Sequence, residues 1–268
     1  MAFELQHSQS TSVRLTKART SLLLEHPFFG SLLFRLKLQE NRAVPIMATD
    51  GVSLHYNPDG LSQLSPAELV GVLAHEVLHP ALQHHTRRSD RNPKLWNMAC
   101  DYAINPLLVD AGLTLPADVL LDNRFRGMSA EHIYSLLAQE NDDAGEGSSS
   151  SSPGGAQGQT ANDESAEGSS EQRSSVAPRT PGGVGQVLDA PNPDQPGAPP
   201  TPDQIREQER EWRVAVQQAQ ASSKMAGKCP LGIDRAFEEA ENASVNWKEA
   251  LRRCYSETLI ADYTWSRP

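Results

Sequence analysis

Residues 64–88 read LSPAELVGVLAHEVLHPALQHHTRR. Ser65-Pro66-Ala67-Glu68 is a capping box, with proline at the first helical position where its missing N–H costs nothing. Behind it, Leu69, Val72, Leu73 and Val77 recur at helical spacing, so one face of the segment is apolar. The pattern predicts a helix running from Pro66 towards Arg88, with Pro80 as a possible kink. Its neighbours follow the same rules. Asn92-Pro93 starts a second helix over KLWNMACDYAI, and Asn105-Pro106 is expected to end or kink it. Gly112 punctuates a short helix after that, and Ser129 caps AEHIYSLLAQ.

Upstream, residues 13–25 read as a helix with Leu15, Ala18, Leu22 and Glu25 on one face, interrupted at His26-Pro27. FFGSLLFRLKL (28–38) fits a helix or a strand equally. VPIMAT and VSLHYN flank Asp50-Gly51, a two-residue turn signal that predicts a β-hairpin over 44–57. Near the C-terminus, Pro202 opens a polar helix to about Lys224, and 245–259 (VNWKEALRRCYSETL) is amphipathic.

Charge divides the chain. Residues 140–203 hold eleven acids against Arg173 and Arg179, which is −9 of a net −10. They contain no Phe, Trp or Tyr, and run through GEGSSSSSPGG and DAPNPDQPGAPPTP. Such a composition cannot bury enough apolar surface to offset its ordering entropy, so it predicts a disordered acidic linker. Val184–Leu188 is the one patch in it with strand character. The expected organisation is a folded domain over 1–139, the linker over 140–203, and a helical segment over 204–268 packing back on the first domain.

Composition also excludes. No apolar run approaches the ~18 residues of a membrane span. The acidic balance speaks against general nucleic-acid binding. Three cysteines (Cys100, Cys229, Cys254) without a C-x-x-C pair argue against a disulfide framework and fit a reducing, cytoplasmic setting; Cys100 reads as a small packed residue.

The predicted helix carries His75-Glu76-Val77-Leu78-His79, an H-E-x-x-H motif. Residues four apart share a helical face, so His75 and His79 can grip one cation, and imidazole is a good ligand for Zn²⁺. Glu76, at the edge of that face, is placed to act as general base on a metal-activated water. A catalytic zinc needs a third protein ligand and an open position. Asp101 on the following helix is one candidate, with Asn105 on the same face to orient a histidine. His85 has the spacing of the metzincin third histidine, but Leu82 stands where that motif has glycine. If the helix simply continues, at about 100° per residue, His85 points away from His79 and His84 faces nearly opposite to His75. Arg87 and Arg88 at the helix end read as complements to its dipole.

Several stretches in order resemble a bacterial and phage metallopeptidase-type family, zincin-like and usually linked to a von Willebrand factor A-like domain. They are 17–33, 48–58 (ATDGVSLHYNP), 64–88, 94–112 (KLWNMACDYAINPLLVDAG), 130–137 and 245–268. The resemblance implies an α+β, mostly helical zincin-like domain with a small hairpin or sheet. It implies His75 and His79 as ligands, Glu76 as base, and Asp101 as a site residue through the stretch Trp96–Asn105. The sequence ends at Pro268, where many relatives continue into the A-like domain and are encoded near a MoxR-type AAA+ ATPase. The expectation is a zinc-dependent peptidase acting on peptide or protein substrates, whose backbone would pair with an edge strand of the hairpin. The alternative is a non-catalytic, zinc-stabilised adaptor working with such an ATPase or an A-like protein.

Overall fold

The apolar faces of several helices and a small sheet meet in one core in the computed structural model, which describes residues 2–146, 185–195 and 197–244. The architecture is α+β and mostly helical. Helix α1 (Ala2–Glu25) buries Leu15, Ala18 and Leu22. It stops at His26, as the proline that follows dictates, and α2 (Pro27–Leu33) starts at once. The ambiguous 28–38 stretch is both things: its first half is α2, and its end enters strand β1 (Lys37–Glu40).

Strands β2 (Met47–Thr49) and β3 (Ser53–Tyr56) form the hairpin. They pair antiparallel, Thr49 opposite Leu54, and β1 joins β3 in parallel, giving the order β1-β3-β2. The register puts Gly51-Val52 at the tip, one residue later than the expected Asp50-Gly51. The reason is the Asp50 carboxylate, whose Oδ1 accepts from Val52 N at 2.8 Å and from Ser53 N at 2.6 Å. Gly51 takes the positive φ of +86° that the turn requires. β2 is left as a sheet edge, with α4 packed on it.

Helix α3 is short (Pro58–Ser62). Helix α4 (Pro66–Ala81) opens on the full capping box, Ser65 and Glu68 each taking the other's backbone amide. It is shorter than the pattern predicts. Gln83 adopts a left-handed conformation (φ 60°), which turns the chain sharply before α5 (His84–Arg87). Helix α6 (Pro93–Asp110) is capped by Asn92, which accepts from Lys94 and Leu95 amides. Contrary to expectation it runs through Pro106, since that helix is buried along one side by α4 and α7. Helix α7 (Ala130–Glu146) closes a smaller cluster of Ala99, Phe125, Ile133 and Leu137 against α6.

Within the stretch expected as linker, residues 140–146 continue α7, and 186–190 bond through their main chain to Thr49 and His85. Helix α8 (Pro202–Met225) starts at a Thr201–Gln204 capping box. It lays Trp212, Ala215, Val216 and Ala219 into the main core. Helix α9 (Ile233–Ser244), which the sequence pattern did not single out, adds Ile233 and a ring contact between Phe237 and Phe28. The predicted helix at 245–259 lies outside the described residues. Among the described residues, no helix is long and apolar enough to cross a membrane.

Trp212 ties the C-terminal helices to the hairpin: it is 5% exposed and its Nε1 donates to the Gly51 carbonyl at 2.9 Å. Trp212→Ala removes a large buried ring and orphans that carbonyl, so it should cost about 3–5 kcal/mol of unfolding free energy, read as a lower urea midpoint.

Candidate metal centre

The middle of α4 and the middle of α6 face each other, and each presents polar groups into an otherwise dry core. From α4 come His75, Glu76 and His79, and from α6 come Asp101 and Asn105; all five are at most 2% exposed. Burying such groups is costly unless each finds a partner. Several do not find one within the chain: Glu76 Oε1, Glu76 Oε2 and Asp101 Oδ1 make no hydrogen bond.

The two histidines point at each other. His75 Nε2 and His79 Nε2 are 3.0 Å apart, and Asp101 Oδ1 lies 3.4 Å from the first and 3.5 Å from the second. Ligands about 2.0–2.1 Å from a tetrahedral ion sit about 3.4 Å from one another, so the three atoms have the spacing such an ion imposes. The other ring nitrogen of each of these two histidines is also engaged. Asn105 Nδ2 donates to the Leu120 carbonyl at 2.9 Å, which fixes the amide's orientation. Its Oδ1 then accepts from His75 Nδ1 at 2.9 Å, leaving a lone pair on Nε2. His79 Nδ1 meets His84 Nδ1 at 3.2 Å. With His79 donating there, its Nε2 also carries a lone pair, and two lone pairs facing each other beside a carboxylate oxygen fit a divalent cation.

Burial shifts every group of the cluster, and neighbouring charges then oppose or add to it. Burial holds the His79 and His84 imidazoles well below their ordinary range, so both are neutral. Burial lowers His75 as well, but the nearby Asp101 and Glu76 carboxylates and Asn105 more than offset it. Asp101 is raised by burial against the pull of His75. Glu76 is pushed up to about 8, by burial first and then by Asp101, with His75 opposing.

His84, His79 and Cys100 form a second close group on the other side of the His79 ring. Burial raises the Cys100 thiol well above its usual value, which keeps it protonated and a poor ligand. His85 does not join either group. Its ring lies over Gly51, where an added Cβ would come within 2.4 Å of His85 Nε2, and neither ring nitrogen is hydrogen-bonded. Burial drops its pKa to about 4. The expectation that His84 faces away fails because the helix ends before it; the turn at Gln83 brings its ring back onto His79. Arg87 is buried and grips Glu131 and the Leu82 carbonyl at the end of α4, which is a structural task.

Two residues near the site escaped the sequence reading. Asn97, one turn before Asp101, donates to Asp101 Oδ2 at 3.3 Å. Gly185 sits against Glu76 and His75; a Cβ there would lie 2.2 Å from Glu76 Oε1. Asn97 had a usable signal, being four residues before Asp101 on the same helix face. Gly185 had none, since it stands in a Gly- and Pro-rich stretch.

His75, Glu76, His79 and Asp101 thus come together, buried, from two facing helices, and three of them are grouped as a metal ion's ligands would be. The profile of the family described as "Putative metallopeptidase domain" matches residues 10–268, and the chain belongs to that family. No curated protein and no solved structure matches it.

Asn105 is the test of the arrangement that costs least elsewhere. Asn105→Ala frees His75 to rotate and change tautomer, and should weaken divalent-ion binding about 10–100-fold in competition with a chromophoric chelator.

Proposed function

We propose that the protein is a zinc-dependent peptidase in which His75, His79 and Asp101 hold the ion and Glu76 is the general base. The single observation behind this reading is the unsatisfied carboxylate of Glu76, buried beside a triad of donors with the spacing of a tetrahedral ion. The bound ion supplies a Lewis acid, acidifying water and polarising the scissile carbonyl. The rest is work for the chain. Asn105 and His84 engage the Nδ1 atoms of His75 and His79, so both rings turn Nε2 towards the same point. Glu76 has two free oxygens and a proton affinity raised by its dry surroundings, so it accepts a proton from the attacking water. It then delivers that proton to the nitrogen of the leaving amine, which restores the carboxylate. Core packing around α4 keeps bulk water from competing for the same proton.

Zinc is preferred to harder ions by the donor set, since two imidazoles and one carboxylate suit zinc better than magnesium or calcium. A cytoplasmic setting goes with this reading, supported by the free Cys100 and Cys229 thiols. The substrate is an extended peptide segment of a protein.

Purified protein should carry about one zinc ion per chain, as a three-ligand catalytic site requires, and His79→Ala should lose it. Glu76→Gln should keep the ion while peptide cleavage falls by about 10²–10⁴-fold, the usual worth of a positioned base. If Glu76→Gln matches wild type in every assay, the protein is instead a zinc-stabilised adaptor, and its partnership with an AAA+ ATPase or an A-like protein becomes the activity to seek.

A further inference from the structure

The edge of β2 nearest the site is already taken. Residues 186–188 lie along it as a short parallel strand: Thr49 N donates to Gln186 O at 2.9 Å, and Leu188 N donates to Thr49 O at 2.8 Å. From the opposite side Asn97 reads the same peptide. Its Oδ1 accepts from Val187 N at 2.8 Å and its Nδ2 donates to Gly185 O at 3.3 Å. The Val187 side chain rests on Trp96, Cys100 and Ala130. At the near end Gly185 touches His75 and Glu76 so closely that no side chain fits. At the far end Ala190 N reaches the His85 carbonyl, and Asp189 pairs with Arg88 through two hydrogen bonds of 2.7 and 2.6 Å.

We propose that residues 185–190 are a resident peptide in the substrate cleft of this enzyme, a strap that marks how substrate binds and must leave before substrate enters. The inference rests on the peptidase reading of His75, Glu76, His79 and Asp101 and deepens it. An extended chain is held here by five hydrogen bonds to its main chain, two from the Thr49 backbone, two from the Asn97 side chain and one from the His85 carbonyl, so the cleft takes peptides with little regard for most side chains. Two positions are selective. The residue over Glu76 must be glycine, and the residue two further on must be a small aliphatic that fits against Trp96. The Gly185 carbonyl is spent on Asn97, so the strap lies across the ligand set without presenting a carbonyl to it. The outer pin is weak, since Asp189 is mostly exposed and its pair with Arg88 is screened by salt. The strap therefore competes with substrate as an intramolecular ligand, and apparent affinity scales with the fraction of chains whose strap is out.

The test uses full-length protein and a labelled synthetic peptide, acetyl-VGQVLDA, the sequence of 184–190. Gly185→Ala places a methyl group against Glu76 and expels the strap. The peptide should then bind at least about tenfold more tightly than to wild type by fluorescence anisotropy, because the cleft is vacated. Adding Asn97→Ala should erase that gain. Hydrogen exchange at the Leu188 and Val187 amides should quicken about tenfold or more in Gly185→Ala, with α4 amides unchanged. Should Gly185→Ala unfold the chain, Asp189→Ala carries the test: Leu188 and Ala190 amides must quicken while α4 stays protected. Equal peptide binding in wild type and Gly185→Ala, or unaltered Leu188 exchange in both strap variants, overturns the proposal. None of these readouts needs turnover, so they are repeated in Glu76→Gln. A strap that behaves as stated in a protein that never cleaves peptide defeats the peptidase reading alone. Cleavage that depends on Glu76, with no response to the strap variants, defeats the strap alone.

Discussion

Four polar side chains are driven into a dry core with some of their best hydrogen-bonding atoms left over, and the structure is organised around that imbalance. Leaving a buried carboxylate and facing imidazole lone pairs without partners costs several kcal/mol per charged group. A folded chain tolerates it when something outside the chain can satisfy those atoms, and a divalent cation at the meeting point of His75, His79 and Asp101 would do so. Binding free energy of that kind is also folding free energy. The site and the stability of the α4–α6 pair are therefore one quantity seen from two sides.

The geometry that makes the cluster possible is held by ordinary devices some distance away. The Ser65–Glu68 box and the Asn92 cap fix where α4 and α6 begin, and so fix which residues sit opposite one another. A slip of one residue along either helix would rotate its face by about 100° and take the donors out of register. Hydrogen bonds then act outward from the cluster: Leu120 holds Asn105, Asn105 holds His75, and the Trp96 indole holds the carbonyl of His84, whose ring meets His79. Each link is a buried polar group satisfied by the next, which is why the set has one arrangement.

What the sequence reveals follows from how local each cause is. The capping box, the His75–His79 spacing and the shared face of Asp101 and Asn105 depend on helical period alone, and period is visible in a string of letters. The position of His84 is not, because it depends on one backbone choice: Gln83 in the left-handed region. Extrapolating α4 past that point gives the wrong face for every residue beyond it. The hairpin tip moved by one residue for a similarly small reason, the carboxylate of Asp50 outcompeting a plain Asp-Gly turn. Strand β1 and the strap show in the sequence only as strand character, within 28–38 and Val184–Leu188, without the partners they pair with. Both rely on pairing with distant partners, and for 185–188 the partner on the sheet is Thr49, far away in the chain. Composition described that stretch correctly as unable to build a core of its own, yet it does not need one when an existing sheet edge supplies the hydrogen bonds.

That last point explains why a glycine- and proline-rich segment is suited to lie over the His75–Glu76 cluster. A segment with large apolar side chains would dock tightly and seal the site for good. One with none would not dock. Residues 185–190 have a single aliphatic anchor at Val187, four main-chain bonds shared between Thr49 and Asn97, and a half-exposed ion pair at Asp189. An open sheet edge is a hazard in itself, since it invites pairing with any extended chain. Covering the β2 edge with a weakly held piece of the same chain removes that hazard while keeping the edge recoverable. The absence of a side chain at 185 completes the balance: it lets the backbone approach Glu76 and His75 closely enough to exclude solvent, and any added carbon there would trade closure for exposure.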